Sequence, residues 1–146
     1  MGDFAKDINS KFESEQQKAM LNLMFTANWM SGIQNDFFKT FDLSPQQYNI
    51  LRILRGAKAP LKVQTIKSRM IDRSPNVTRL TDKLIDKALI ERLNCETDRR
   101  VVHIQITKKG LELLKEIPSG RHKLFTENLS KAEAKKLNEL LDKIRP

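Results

Sequence analysis

The chain is poor in the residues that build disulfide frameworks, catalytic loops and linkers. Of its 146 residues one is cysteine, two are histidine, five are glycine and five are proline. The single cysteine, Cys95, excludes an intramolecular disulfide and fits a reducing compartment. So little glycine and proline rules out a loop-dominated or low-complexity architecture, and no internal repeat is present. His103 and His122 stand far apart with no second ligand near either, so no metal site is expected. No glycine spacing makes a phosphate-binding loop, and no nucleophile stands in a recognisable motif. The expectation is therefore no catalytic residue, no cofactor and no enzyme. The N-terminal MGDFAKD lacks a basic segment leading into an apolar run, and Lys6 stands where myristoylation wants Ser or Thr. A cytoplasmic protein is expected. Residues 19–35 carry no charge, yet the stretch is shorter than a typical span and includes Asn22, Thr26, Asn28, Ser31, Gln34 and Asn35. It reads as a buried helix and not as a membrane segment.

Acidic residues are the other shortage. Against 27 Lys and Arg stand 18 Asp and Glu, a net charge of +9, and a polyanionic partner is the natural reading. The excess is local. Fifteen basic and six acidic residues lie between Arg52 and Lys109, so this stretch carries all of it and the two ends cancel. A solvated surface with scattered lysines does not predict such concentration.

The apolar pattern supplies the elements. A long helix is expected over roughly Phe4 to Thr40, with Met20, Leu23, Met24, Ala27, Met30, Phe37 and Phe41 at helical spacing. Leu21, Phe25, Trp29 and Ile33 widen that face beyond what one small domain covers, which calls for a second copy of the chain. Ser44-Pro45-Gln46-Gln47 is a capping box with proline at the first helical position, and Gly56 and Pro60 end that helix. A short helix follows over about Lys62 to Met70, with Val63, Ile66 and Met70 inward. Ser74-Pro75 repeats the cap-then-proline start. The helix it opens should bury Val77, Leu80, Leu84 and Ala88 and expose Asn76, Arg79, Lys83, Asp86 and Lys87. The period then drops to two at Val102, Ile104 and Ile106, a strand whose hairpin partner is Leu89 to Cys95. Thr107 caps a helix through Leu111, Leu113, Leu114 and Ile117, and Ser130 with Glu133 boxes a last one bearing Leu137, Leu140, Leu141 and Ile144.

Two short helices, a helix with a polar leading face and a basic-tipped hairpin make a winged helix-turn-helix. The expected class is mainly α with a small β-hairpin wing (α+β). A major groove admits one α-helix, read by side chains on its first turns. Asn76 and Arg79 share a face and suit adenine and guanine respectively. Ser74 and Thr78 offer hydroxyls to phosphate at a helix N-terminus, and Lys83, one turn on, reaches the backbone. At the hairpin tip, Arg99 or Arg100 can enter a minor groove, and Asp98 is expected to aim Arg100 through a side-chain pair.

Asp98-Arg99-Arg100-Val101-Val102-His103-Ile104-Gln105-Ile106-Thr107-Lys108-Lys109-Gly110 resembles the wing, strand and following helix start of the MarR family of bacterial regulators. Ser74 to Leu80 resembles that family's recognition-helix start, and Leu89-Ile90-Glu91-Arg92 its approach to the wing. The similarity runs from about Leu43 to Leu114, roughly half the chain. It implies that Arg100 is the minor-groove arginine with Asp98 as its orienting partner, and that the protein is a dimer built from N- and C-terminal helices. Three departures stand out. Ala88 replaces the usual glycine, Lys62 replaces a frequent Ser or Thr cap, and no cysteine precedes Cys95, as the peroxide-sensing branch requires. Family members often bind small aromatic effectors between the dimer and DNA-binding parts, where Trp29, Met30, Phe37 and Phe38 are candidate lining residues.

The reading is a homodimeric double-stranded-DNA-binding transcriptional regulator, a repressor more than an activator. Its expected organisation is an N-terminal dimerisation helix over 1–42, the DNA-binding region over 43–110 and C-terminal dimerisation helices over 111–146. A protein-binding winged-helix module and a sequence-neutral architectural DNA binder remain as alternatives.

Overall fold

The computed structural model describes residues 2–72, 76–98, 100–118 and 127–145. The chain forms two compact units, residues 1–111 and 112–146.

The expected single N-terminal helix is broken into two. Helix α1 spans Phe4–Asp7 and α2 spans Glu15–Lys39. Asn9 adopts a left-handed φ of 48°, which ends α1. Ser14 then restarts the helix by accepting the Gln17 backbone N–H on its hydroxyl at 3.1 Å. The break lets Phe4 fold back, so that its ring stacks on Phe12 at 5.3 Å and meets Phe25 at 5.4 Å. Along α2 the apolar side chains stay out of any core: Met20, Leu23, Met24, Phe25 and Trp29 are 40–57% exposed, and among its residues Phe38 is the buried one.

Helix α3 spans Pro45–Ala57 and starts as the capping box requires. Ser44 Oγ accepts from the Gln47 backbone N–H at 3.1 Å, and Gln47 Oε1 accepts from the Ser44 N–H at 2.9 Å. Ile50, Leu51 and Leu54 fall on its inner face, each at most 2% exposed. Two residues, Leu61–Lys62, make strand β1, and α4 follows over Val63–Arg69 with Ile66 fully buried. Helix α5 spans Val77–Asp86. Strands β2 (Ile90–Asn94) and β3 (Val102–Ile106) pair antiparallel, Ile90 opposite Ile106 and Asn94 opposite Val102. The sheet thus has a third strand beyond the expected hairpin: β1 pairs with the other edge of β3, Leu61 opposite Ile104, in the order β1-β3-β2. Two residues carry no readable period, which is why β1 is silent in the sequence.

The end of α5 differs from expectation at Ala88. It lies outside the helix, exposed, with φ 57°. Its N–H reaches the Ile85 carbonyl at 2.8 Å, and the Leu89 N–H reaches the Leu84 carbonyl at 3.0 Å. This is a Schellman closure, with alanine at the left-handed position that glycine fills more cheaply. Immediately beyond, the Leu89 carbonyl accepts the Thr107 N–H at 3.1 Å, and Thr107 Oγ1 donates to the Ala88 carbonyl at 2.7 Å. The same hydroxyl accepts the Gly110 N–H at 3.1 Å and so caps helix α6, Lys108–Glu116. A Cβ on Gly110 would lie 2.3 Å from the Leu89 carbonyl oxygen, so that helix start tolerates no side chain.

In the second unit, α7 spans Lys131–Ile144 behind the expected Ser130–Glu133 box. The Ser130 hydroxyl and backbone N–H together hold the Glu133 carboxyl below its usual range. None of the residues of α7 is buried, and Leu137, Leu140 and Ile144 are 44–65% exposed.

Ala88→Gly should raise stability. Relief of a left-handed non-glycine residue is worth about 1–2 kcal/mol, while added backbone entropy in the unfolded chain costs about 0.5–1. The net expectation is a gain of about 0.5–1 kcal/mol, read as a higher urea midpoint at unchanged slope. Gly110→Ala should lower stability by about 1–3 kcal/mol through the forced overpacking, read as a lower urea midpoint.

Candidate nucleic-acid interface

Helix α5 is sharply two-faced. Val77, Thr81 and Leu84 are at most 4% exposed, at the i, i+4, i+7 spacing of one helical stripe. Thr81 joins that inner face against its polarity because its hydroxyl donates to the Thr78 carbonyl at 2.8 Å. The helix packs on α3, α4 and β2, which leaves Thr78, Arg79, Asp82, Lys83 and Asp86 to solvent. Asn76, Arg79, Leu80 and Lys83 line one shallow cleft of about 270 Å³. Three of the sequence-predicted reading residues thus share a surface. Thr78, the fourth on this helix, is exposed in its first turn.

The cap of α5 is not Ser74. Asn76 holds that position, its Oδ1 accepting the Arg79 backbone N–H at 3.1 Å. An amide oxygen two residues later in the sequence serves the same orphan donors. Ser74 lies outside the described residues, as does Arg99. Capping leaves the amide NH₂ of Asn76 as its outward donor.

At the wing tip, Asp98 works on the backbone. Its Oδ1 accepts the Arg100 N–H at 2.9 Å, and its carbonyl accepts the Val101 N–H at 3.0 Å. No ion pair among the described residues joins the Asp98 and Arg100 side chains, which corrects the expected side-chain pair. The carboxylate folds the turn from which Arg100 projects, exposed, and a carboxylate bound to N–H two residues on is the ordinary Asx turn. Cys95 follows the end of β2, half-buried. The Thr97 hydroxyl at 3.1 Å, with backbone N–H groups of Asp98 and Thr97, holds its thiol below the ordinary range.

Sequence reasoning missed the link between reading helix and wing. Asp82 pairs with Arg92 of β2, both about half exposed. A carboxylate one turn from Arg79 would repel phosphate unless neutralised, and Arg92 neutralises it while tying the two elements together. Of the candidate effector residues, Phe37 and Phe38 meet edge to face at 5.3 Å. Trp29 lines a cavity of about 490 Å³ with Phe4 and Phe25, whereas Phe38 is buried, its ring 4.4 Å from that of Tyr48. Among the described residues no helix is long and apolar enough to cross a membrane, and no cluster of His, Cys, Asp and Glu could hold a metal ion.

A two-faced helix after a short helix, joined to a three-stranded sheet with an arginine at its hairpin tip, defines a winged helix-turn-helix transcription factor. The sequence model of the MarR family matches residues 43–102. The chain is 30% identical over 117 residues to the HTH-type transcriptional regulator YpoP of Bacillus subtilis, covering 77% of this chain and 82% of that protein. Its fold superposes on a MarR transcription factor from Planctomyces limnophilus with a TM-score of 0.68 at 35% identity, over 92% of this chain and 98% of that one. It also superposes on a mutant MarR of Escherichia coli complexed with operator DNA, with a TM-score of 0.75 at 24% identity over 99% and 100% of the two chains. The chain belongs to the MarR family of winged-helix transcriptional regulators, which are transcription factors and not enzymes.

Arg79→Ala should weaken binding to a cognate duplex by about 1–3 kcal/mol and relax preference at one base position. Equal loss on cognate and random DNA would make Arg79 a phosphate contact instead. Asp98→Ala should loosen the tip and weaken DNA binding although it removes a negative charge; tighter binding to all duplexes would show that its charge outweighs its turn.

Proposed function

We propose that the protein is a homodimer that reads a pseudo-palindromic operator and represses the promoter overlapping it, in the cytoplasm. The observation that carries this reading is the single exposed surface holding Asn76, Arg79 and Lys83 on the leading turns of α5. Such a helix fills a major groove, with Arg79 on guanine, the outward amide of Asn76 on a base acceptor, and Thr78 and Lys83 on phosphate. Ser74 joins the phosphate set, and Arg99 and Arg100 supply the wing's minor-groove contact. That the E. coli MarR mutant was crystallised on operator DNA supports carrying this mode over.

Residues 43–110 are the DNA-reading part. The exposed apolar residues of α2, in the segment 1–42, and separately those of α7, in the segment 111–146, are each available for a second copy to cover. Two-fold symmetry then places half-sites about one helical turn, roughly 10 bp, apart. A small aromatic effector would act by favouring a dimer whose recognition helices are wrongly spaced, and Trp29 with Phe4 and Phe25 forms the aromatic wall available to it.

Selection of random duplexes by the purified protein at near-physiological salt, followed by sequencing, should enrich an inverted repeat. Retention of DNA without a motif would favour the architectural binder, and no retention would favour the protein-binding module. Arg100→Ala should lower affinity for the selected repeat while leaving the major-groove preference in place; unchanged affinity removes the wing from the reading.

A further inference from the structure

The helix that carries the apolar stripe and the helix that reads DNA end side by side and are joined there. Helix α2 closes in the same way as α5: the Leu43 N–H reaches the Phe38 carbonyl at 3.1 Å, and the Asp42 N–H reaches that of Lys39 at 3.1 Å. Asp42 takes the left-handed position with φ 54°. Lys87, the C-cap of α5, donates its Nζ both to the Asp42 carbonyl oxygen and to the Asp42 carboxylate, the latter at 3.1 Å. Lys87 thus meets both the main chain and the side chain of one residue, its own side chain half-buried and that of Asp42 exposed. The backbone of Lys87 is in turn held, its carbonyl accepting from Lys109 Nζ at 3.0 Å.

Beside the pair the two helix ends are not closely packed. A cleft of about 620 Å³ opens beside the pair, bounded by Lys39, Leu43 and Gln47 on one side and Leu80 and Lys83 of α5 on the other. Helix α2 packs on α3 and α3 on α5, so the Lys87–Asp42 pair is a direct tie that bypasses α3.

We propose that Asp42 and Lys87 are positioning residues that set the separation of the two recognition helices, and hence which half-site spacing the dimer accepts. The proposal rests on the dimeric, operator-reading function above. A tie at the end of a lever has leverage: ten residues of α5 extend about 15 Å. A tilt of about 10° about the tied end carries the leading turn roughly 2.6 Å, most of the ~3.4 Å between successive base pairs. Without the tie α5, together with the α4 and β2 on which it packs, samples neighbouring registers relative to α2, and spacing discrimination falls before folding does.

Asp42→Gly and Lys87→Met test this. Glycine accepts the backbone conformation of Asp42 without strain, and methionine keeps much of the apolar stem of Lys87. Both variants are measured, with wild type, against the selected inverted repeat and against repeats whose spacer is one base pair shorter or longer. Wild type should lose about tenfold for either change of spacer. Both variants should flatten that preference to about threefold or less, with their thermal midpoints near that of wild type. Simple electrostatics predicts something different. Removing Asp42 would strengthen binding to every duplex, and removing Lys87 would weaken it, each with an unchanged spacing profile; that outcome overturns the proposal and leaves the operator reading intact. A wild type that shows no spacing preference overturns the dimeric reading itself, and the tie with it.

Discussion

The close approach of Gly110 to the Leu89 carbonyl is the constraint on which the reading head depends. That oxygen lies 2.3 Å from where a Cβ would be, and it also accepts the Thr107 N–H. Three elements meet there: the end of α5, the start of β2 and the start of α6. Thr107 satisfies two of them at once, donating to Ala88 and accepting from Gly110. Because the hydroxyl has one proton and two lone pairs, the arrangement leaves it little choice of orientation. Helix α5 and the hairpin that follows it are therefore fixed to a common point. Asp82 and Arg92 add a second tie nearer the middle of α5.

Local chemistry was the part most legible in the sequence. Ser44 with Gln47, and Ser130 with Glu133, are complete reciprocal boxes in the fold, because each needs only residues three apart. The alternation at Val102, Ile104 and Ile106 likewise marked a real strand, since one face of it is buried at Ile104. The polar side of α5 was legible for the same reason. Its inner side was misread at three positions: Thr81 is buried, Ala88 is exposed and Leu80 is only half-buried. A threonine that satisfies its own hydroxyl on the preceding turn behaves as an apolar residue, and composition cannot show that.

What stayed hidden was whatever depends on one residue's backbone or on partners far apart in sequence. Asn9 breaks the N-terminal helix without glycine or proline to announce it, using the tolerance of asparagine for the left-handed region. The Asp82–Arg92 and Asp42–Lys87 ties span ten and forty-five residues, and no periodicity encodes them. Asp98 was singled out correctly as an anomaly, but the partner expected for it was a guanidinium. Nearby N–H groups usually win such a contest, because they need no long side chain to be ordered.

The uncovered apolar residues of α2 carry a consequence for dosage. In the proposed homodimer a second copy covers this face, where Trp29 and Met24 are more than half exposed, so the folded state and the assembled state are linked by mass action. When copies are scarce, the concentration of dimers falls with the square of the concentration of chains. Operator occupancy then changes more steeply than the number of molecules made, and dilution at cell division becomes a signal in its own right. In that homodimer the sharpness of the response belongs to an apolar face and not to the polar face of α5.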